Sequence, residues 1–556
     1  MNKILDENVY DLIIDNIMLP SYDTGDNTTF INQIISLLHV VNNNMSVCDL
    51  GRQPYHRFPA LFTLESDISI EKSRINRVQT NPYLGLYGSG VIVGIIDTGI
   101  DYQHPVFCHN DGTTRILSIW DQSVQEGNIP DDFTFGSEYT YKQINLALQS
   151  DNPLSIVPSV DAIGHGTAIA SIVAGKEDIG KAFRGVAPDS ELVVVKLKEA
   201  KKNLRKIFFV PEDAVCYQES DILLALRYLM MVSKKLNRPL AICLALGTSQ
   251  GGHDGRGNTS VYLDYVGQVS RVGASVSAGN EGNTQRHYYG QTDTPSIDEV
   301  FELRVDDKDK EFSLEIWPDV LARLAIEIIT PTGESTQWIY PQRNACIEND
   351  FIYSPSNIWV NNIMLEEKTG NQLILIRFKG AIQGIWQFRL RNIGNEPYSF
   401  HAWLPSGHLI SRDTYFLNAN PDTTITEPGN AKNTLTVAAY NQNTDAILLE
   451  SSRGYTRTDL VKPNLAAPGY NLTCALPNNQ FGTLMGTGAA AAHTAGIIAM
   501  ILEWAVVQGN YTSITGNDIN NLLIRGARRK PTMVYPNNIW GYGEVDAYAL
   551  FERLTI

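Results

Sequence analysis

Three short segments of this chain carry the groups that acyl transfer needs. Asp97-Thr98-Gly99 follows the apolar run Val91 to Ile96. An acid at the carboxyl end of a buried parallel strand lies where α/β folds place their sites. Gly164-His165-Gly166-Thr167 leads into an apolar run from Ala168 to Ala174, which predicts a helix entered at the histidine. Such an imidazole can take a proton from a nucleophile while an aspartate holds its other nitrogen. Ser277-Ala278-Gly279-Asn280 follows the apolar strand Val272 to Val276, and the Asn280 amide can donate to an oxyanion. Each segment alone is weak, because Asp-Thr-Gly occurs in ordinary turns, a lone histidine is more often structural, and asparagine is a common turn residue.

Together they are far more specific. The run Gly486-Thr487-Gly488-Ala489-Ala490-Ala491-Ala492-His493-Thr494-Ala495-Gly496 resembles the nucleophile segment of subtilisin-like serine proteases, which reads Gly-Thr-Ser-Met-Ala-x-Pro-His-x-Ala-Gly. The order Asp97, His165, then position 488, with Asn280 at the oxyanion position, is that family's order of acid, base and nucleophile. Gly185-Val186-Ala187-Pro188, the run Lys462 to Gly469 and the run Gly541 to Ala547 resemble further family segments. Ala245-Leu246-Gly247 resembles the strand that pairs with substrate. The resemblance covers roughly residues 75–296 and 410–556.

The serine slot, however, holds Gly488. Glycine has no side-chain oxygen to form an acyl-enzyme. Losing the nucleophile costs on the order of 10⁶ in rate. The resemblance with this departure implies a pseudoprotease. Thr487 is expected to point its hydroxyl elsewhere. An engineered change is the other origin for such a residue, but Ala489 and Ala492 also replace the family's Met and Pro, and a single designed substitution would leave those flanks alone. Glycine is also expected to relax a strained strand-to-helix turn at this position.

The elements that must position these groups are legible as an α/β core. Val91 to Ile96, Leu192 to Val195 and Ala241 to Leu246 are continuous apolar runs, expected as strands of a doubly wound parallel sheet. Between them Ser220-Asp221 opens a helix, stopped by Asn237-Arg238-Pro239. The expected domains are an α+β module over 1–68, core over 69–297, an inserted β-sandwich of jelly-roll type over 298–406, and core again over 407–556. The insert is read from alternation: Phe312, Leu314 and Ile316 with Ser313 and Glu315, Ile326 and Ile328, then Trp386, Phe388 and Leu390. The first module mixes a helix-like run from Phe30 to Val41 with strand-like pieces, Tyr10 to Ile14 and Arg57 to Leu64. Its place matches the prodomain of subtilases. In a chain unable to cut itself, its tail from Phe58 to Glu65 is expected to stay attached and fill the substrate groove.

Composition narrows the partners. The chain has 556 residues and a formal charge of −16, which disfavours nucleic acid. Six cysteines lie far apart with no CxxC or zinc-like spacing, which fits a reducing, intracellular compartment. Met1 to Asn8 lacks a secretory pattern. The apolar helix near Ala495 to Val507 is expected to be too short to span a bilayer. No metal or cofactor motif is found. A prodomain, an inserted jelly-roll and no export signal resemble the Csp germination proteases of spore-forming clostridia. That resemblance implies a spore protein that senses a small-molecule germinant, or relays its signal to a sister protease that activates a cortex-lytic zymogen. The alternative is an active endopeptidase that processes the zymogen itself. A third reading takes Trp317, Trp338, Trp359, Trp386 and Trp403 as a carbohydrate-binding set, against core packing as the ordinary role of buried indoles.

Overall fold

The apolar runs form the middle of a nine-stranded sheet. The computed structural model describes residues 2–21, 27–41, 47–51, 53–69, 85–343 and 345–554. Leu240–Leu244 lies parallel between Ile92–Asp97 and Val272–Ser277. Glu191–Lys196 and Ile116–Asp121 extend the sheet in parallel on one side, Leu435–Asn441 and Leu465–Pro468 on the other. Antiparallel Ser137–Thr140 and Ala446–Ile447 close the edges. Successive side chains of a strand alternate faces, so Val93 and Ile95 enter one core while Ile92 and Ile96 enter the other. The first core is shared with helices His165–Ala174 and Thr487–Leu502, the second with Glu219–Leu236 and Asn258–Val266. Glu219–Leu236 ends where Asn237 turns left-handed, at φ 53°.

The helix at Thr487 starts earlier than the sequence indicated. With the π-helical turn Glu503–Val507 it runs 21 residues, long and apolar enough by length and composition to cross a membrane. Residues 487–502 are all buried among strands of the sheet, so it is a core helix.

The N-terminal module differs from expectation. Ile35–Val41, within the helix-like run, is a strand paired antiparallel with Val9–Asp15, Ile13 opposite Leu37, and Thr28–Phe30 lies on its other side. A short apolar run cannot be told from a helix by periodicity, and the cross-strand partner decides. Among the described residues this module has strands and short 3₁₀ turns but no α-helix. Its expected boundary at 68/69 falls in the strand Asp67–Ser69, and residues 70–84 lie outside the described residues.

The insert is a sandwich of a six-stranded and a four-stranded antiparallel sheet around one aromatic-rich core. It begins before the expected residue 298, with His287–Thr292, and closes after 406, with Tyr415–Phe416. His287–Thr292 reads His-Tyr-Tyr-Gly-Gln-Thr and has no aliphatic residue to mark a strand. Ser313 and Glu315, expected on the polar face, are also buried. Glu315 accepts from Tyr55 Oη (2.5 Å), Gly251 N (3.0 Å) and Trp317 Nε1 (3.0 Å), so this face docks on the N-terminal module and the core. Arg377, fully buried, donates to Val47 O, Ile207 O and Asn361 Oδ1, tying the three units together. A Cys48–Cys346 disulfide links the first module to the sandwich. The two cysteines lie 298 positions apart, so spacing carried no signal for the pairing, and the bridge departs from the reducing surroundings expected from the cysteine spacing. Trp317, Trp386 and Trp403 are buried; Trp359 stacks on Phe209, and Arg391 covers Trp338. Trp338 and Trp359 are half-buried.

Candidate active site

Asp97 ends its strand at the carboxyl edge of the sheet, and His165 opens the helix beside it. His165 Nδ1 lies 2.7 Å from Asp97 Oδ1, and both side chains are 1 % exposed. A carboxylate there fixes the proton on Nδ1 and leaves Nε2 as acceptor. Two glycines allow the approach. Gly164 caps the helix at φ 87°, and a Cβ on Gly166 would overlap the carbonyl of Gly99. Asp161 holds the junction. Its Oδ1 accepts from Thr98 Oγ1 (2.7 Å) and Gly164 N (2.8 Å), and its Oδ2 from Thr167 N (2.8 Å) and Thr167 Oγ1 (2.6 Å). No motif in the sequence singles out this buried aspartate.

The groove beside this pair is occupied by the chain's own N-terminal segment. Leu61–Leu64 forms the middle strand of a three-stranded antiparallel sheet. Leu64 pairs with Leu246 and Thr63 with Gly247, while Phe62 pairs with Tyr217 and Leu61 with Gln218. Glu65 N then donates to Ala245 O at 3.1 Å. Ala245, Leu246 and Gly247 thus line the path of this segment. Beyond it, Asp67–Ser69 pairs antiparallel with Gln480–Met485. The segment therefore passes through the site and continues out the other side.

The Glu65 carbonyl oxygen is the focus of the site. Asn280 Nδ2 donates to it at 2.6 Å and Gly488 N at 2.9 Å. Two converging donors on one carbonyl form the geometry of an oxyanion hole. The Thr487 hydroxyl lies 3.1 Å from Asn280 Oδ1 and accepts from Gly279 N at 3.1 Å, so it orients the Asn280 amide rather than facing the carbonyl. His165 Nε2 meets a different hydroxyl, Ser66 Oγ, at 2.5 Å. A Cβ built on Gly488 would lie 2.8 Å from Ser66 Oγ and 3.0 Å from Glu65 O. Position 488 thus faces the Glu65–Ser66 peptide, and Ser66 Oγ fills the space that a side chain there would use. The expected backbone strain sits elsewhere. The positive φ in this turn, 115°, belongs to Gly486, and Gly488 is outside the left-handed region, so its glycine is not required by the backbone.

The Glu65 side chain is buried. Its Oε1 accepts from Thr426 Oγ1 at 3.2 Å, and a Cβ on Gly247 would overlap it, so a glycine is needed at 247. Burial and the nearby Glu281 carboxylate push the Glu65 carboxyl up to about 8. Arg286, paired with Glu281 at 3.2 Å, pulls the other way. Among the described residues, no cluster of His, Cys, Asp and Glu has an arrangement that could hold a metal ion.

Comparison with known proteins agrees with this geometry. The subtilase family (peptidase S8) matches residues 88–298 and 393–543. The structure of the Clostridium perfringens CspB protease superposes with a TM-score of 0.77 at 30% identity, covering 87% of this chain and 96% of that one. Curated relatives match shorter stretches. Subtilisin-like protease SBT1.9 of Arabidopsis thaliana is 30% identical over 127 residues, and serine protease AprX of Bacillus subtilis 30% over 151. The matched stretches cover 20% and 23% of this chain, and only 17% and 32% of those relatives' own lengths. The family match spans more than half of the chain and brackets the sandwich, and the CspB likeness runs through nearly all of it: this chain belongs to the subtilase family, with a Csp-type architecture.

Proposed function

We propose that this chain is a subtilisin-fold pseudoprotease that acts by binding, and that in the spore it relays a germinant signal to a sister protease that activates a cortex-lytic zymogen. The observation that carries the reading is the Glu65–Ser66 peptide: its carbonyl rests between both oxyanion donors, its base is in place, and residue 488 has no atom to attack it. The tethered segment then acts as a prodomain that closes the groove, leaving the outer surface for partners. The Csp-type architecture supports the germination role.

Two measurements test this. A peptide matching residues 58–70, added to the purified protein, is expected to remain uncut at the rate of the His165→Ala variant. In spores, deletion of the gene is expected to abolish zymogen processing, whereas His165→Ala in place leaves it intact. Loss of processing in the His165→Ala spores would favour the alternative, an active endopeptidase.

A further inference from the structure

The groove holds a nucleophile, though not on residue 488. Ser66 Oγ sits 2.5 Å from His165 Nε2, the nitrogen that serves as acceptor when the Asp97 contact fixes the proton on Nδ1. The neighbouring carbonyl, that of Glu65, is held by Asn280 Nδ2 and Gly488 N. A Cβ on Gly488 would come within 2.8 Å of Ser66 Oγ and 3.0 Å of Glu65 O. Ser66 Oγ therefore stands on the side of the peptide from which a residue-488 nucleophile would approach. Hydroxyl and carbonyl carbon belong to adjacent residues, so attack closes a five-membered ring and carries no translational cost.

We propose that Ser66 Oγ attacks the carbonyl carbon of Glu65 in cis, an N-to-O acyl shift that turns the Glu65–Ser66 amide into an ester. The Oγ–C bond forms as His165 Nε2 takes the hydroxyl proton. Asn280 Nδ2 and Gly488 N hold the oxyanion of the tetrahedral intermediate. The C–N bond then breaks, and the proton passes from His165 to the departing Ser66 amine. No oxidant, cofactor or second substrate is consumed. The product is an isomer of the chain, still continuous through the ester. The Ser66 amine remains tethered beside that ester and re-forms the amide, so the step is reversible and leaves the mass unchanged. This activity is separate from proteolysis of other chains, and it needs a small residue at 488, where a side chain would compete for the space Ser66 Oγ fills.

Hydroxylamine, which cleaves esters, is the probe. The sequence contains no Asn-Gly step, a common site of unrelated hydroxylamine cleavage, so the background is low. Folded full-length protein is treated at neutral pH and its intact mass followed. The expected result is loss of the full-length species and appearance of residues 1–65 ending in a Glu65 hydroxamate, with residues 66–556 starting at a free Ser66 amine. Ser66→Ala should stay whole, His165→Ala should react about 10²- to 10⁴-fold more slowly, and Ser66→Cys should be cut by a thiol through the corresponding thioester. Wild-type protein that stays whole in hydroxylamine while folded overturns the proposal, as does equal cutting of Ser66→Ala. Failure here leaves the pseudoprotease reading standing, since that reading is measured on an added peptide.

Discussion

Gly488→Ser should switch on cleavage of the chain's own Glu65–Ser66 bond. Everything but the attacking atom is assembled: the Asp97–His165 pair, two donors on the Glu65 carbonyl, and strand pairing on both sides of the segment. The backbone at 488 accepts an L-residue, because its φ is outside the left-handed region. The new Cβ would sit 2.8 Å from Ser66 Oγ, which is too close, but that oxygen moves by rotation about one bond. Displacing it gives up its contact with His165, about 1 to 3 kcal/mol. A restored nucleophile is worth on the order of 10⁶ in rate, or about 8 kcal/mol. The balance is about 5 to 7 kcal/mol in favour of cleavage, roughly 10⁴- to 10⁵-fold over the parent. The assay is a time course of intact mass after refolding, with residues 1–65 as the product. Adding Ser66→Ala should accelerate it, since the Ser66 hydroxyl then no longer competes for His165 Nε2. A Gly488→Ser protein that remains whole with an unchanged melting temperature would refute the claim that this site lacks only its oxygen.

Three further outcomes follow from the same contacts. The Glu65 carboxyl rises from 4.5 when free to about 8 when docked, so docking takes up a proton; its contribution is fully present below about 4.5 and is lost as pH rises through about 8, by up to about tenfold in the docking equilibrium per pH unit. Glu65→Gln should therefore gain melting temperature over wild type as pH goes from 5 to 9, and a pH-independent difference would contradict the assignment. Asp161→Ala removes the acceptor of four hydrogen bonds and should cost about 2–4 kcal/mol in urea unfolding; a loss under about 0.5 kcal/mol would show that Asp161 does not hold the His165 helix start. Reducing Cys48–Cys346 opens a link between residues 298 apart, with loop entropy on the order of 5 kcal/mol, so dithiothreitol should lower the melting temperature of wild type but not of Cys346→Ser. Equal melting with and without reductant would rule out that contribution.

The core was legible because it is written in local patterns. Continuous apolar runs such as Val91 to Ile96 and Leu192 to Val195, rich in β-branched residues, fit strands buried on both faces; Asp97 ends one strand, Asn280 follows another and His165 opens an apolar helix. The structure then brings these three and position 488 around one carbonyl. What stayed hidden depends on contacts distant in the chain. Ile35–Val41 is a strand because Val9–Asp15 pairs with it, and Glu315 is buried because Tyr55 and Gly251 reach it. Ser66 has no motif; its relation to His165 exists only because Leu61–Leu64 threads between two core strands. Asp161 likewise gains its partners only when the helix at His165 packs on the Asp97 loop.

The most direct test of the central claim is the intact mass of the freshly purified full-length chain, without hydroxylamine. A subtilase-family site that lacks its attacking oxygen should leave the Glu65–Ser66 link unhydrolysed, giving one species at 61.7 kDa. A fragment beginning at residue 66 that is present in wild type and in Ser66→Ala but absent in His165→Ala would contradict it, because the site would then hydrolyse its own chain with neither a serine at 488 nor the Ser66 hydroxyl.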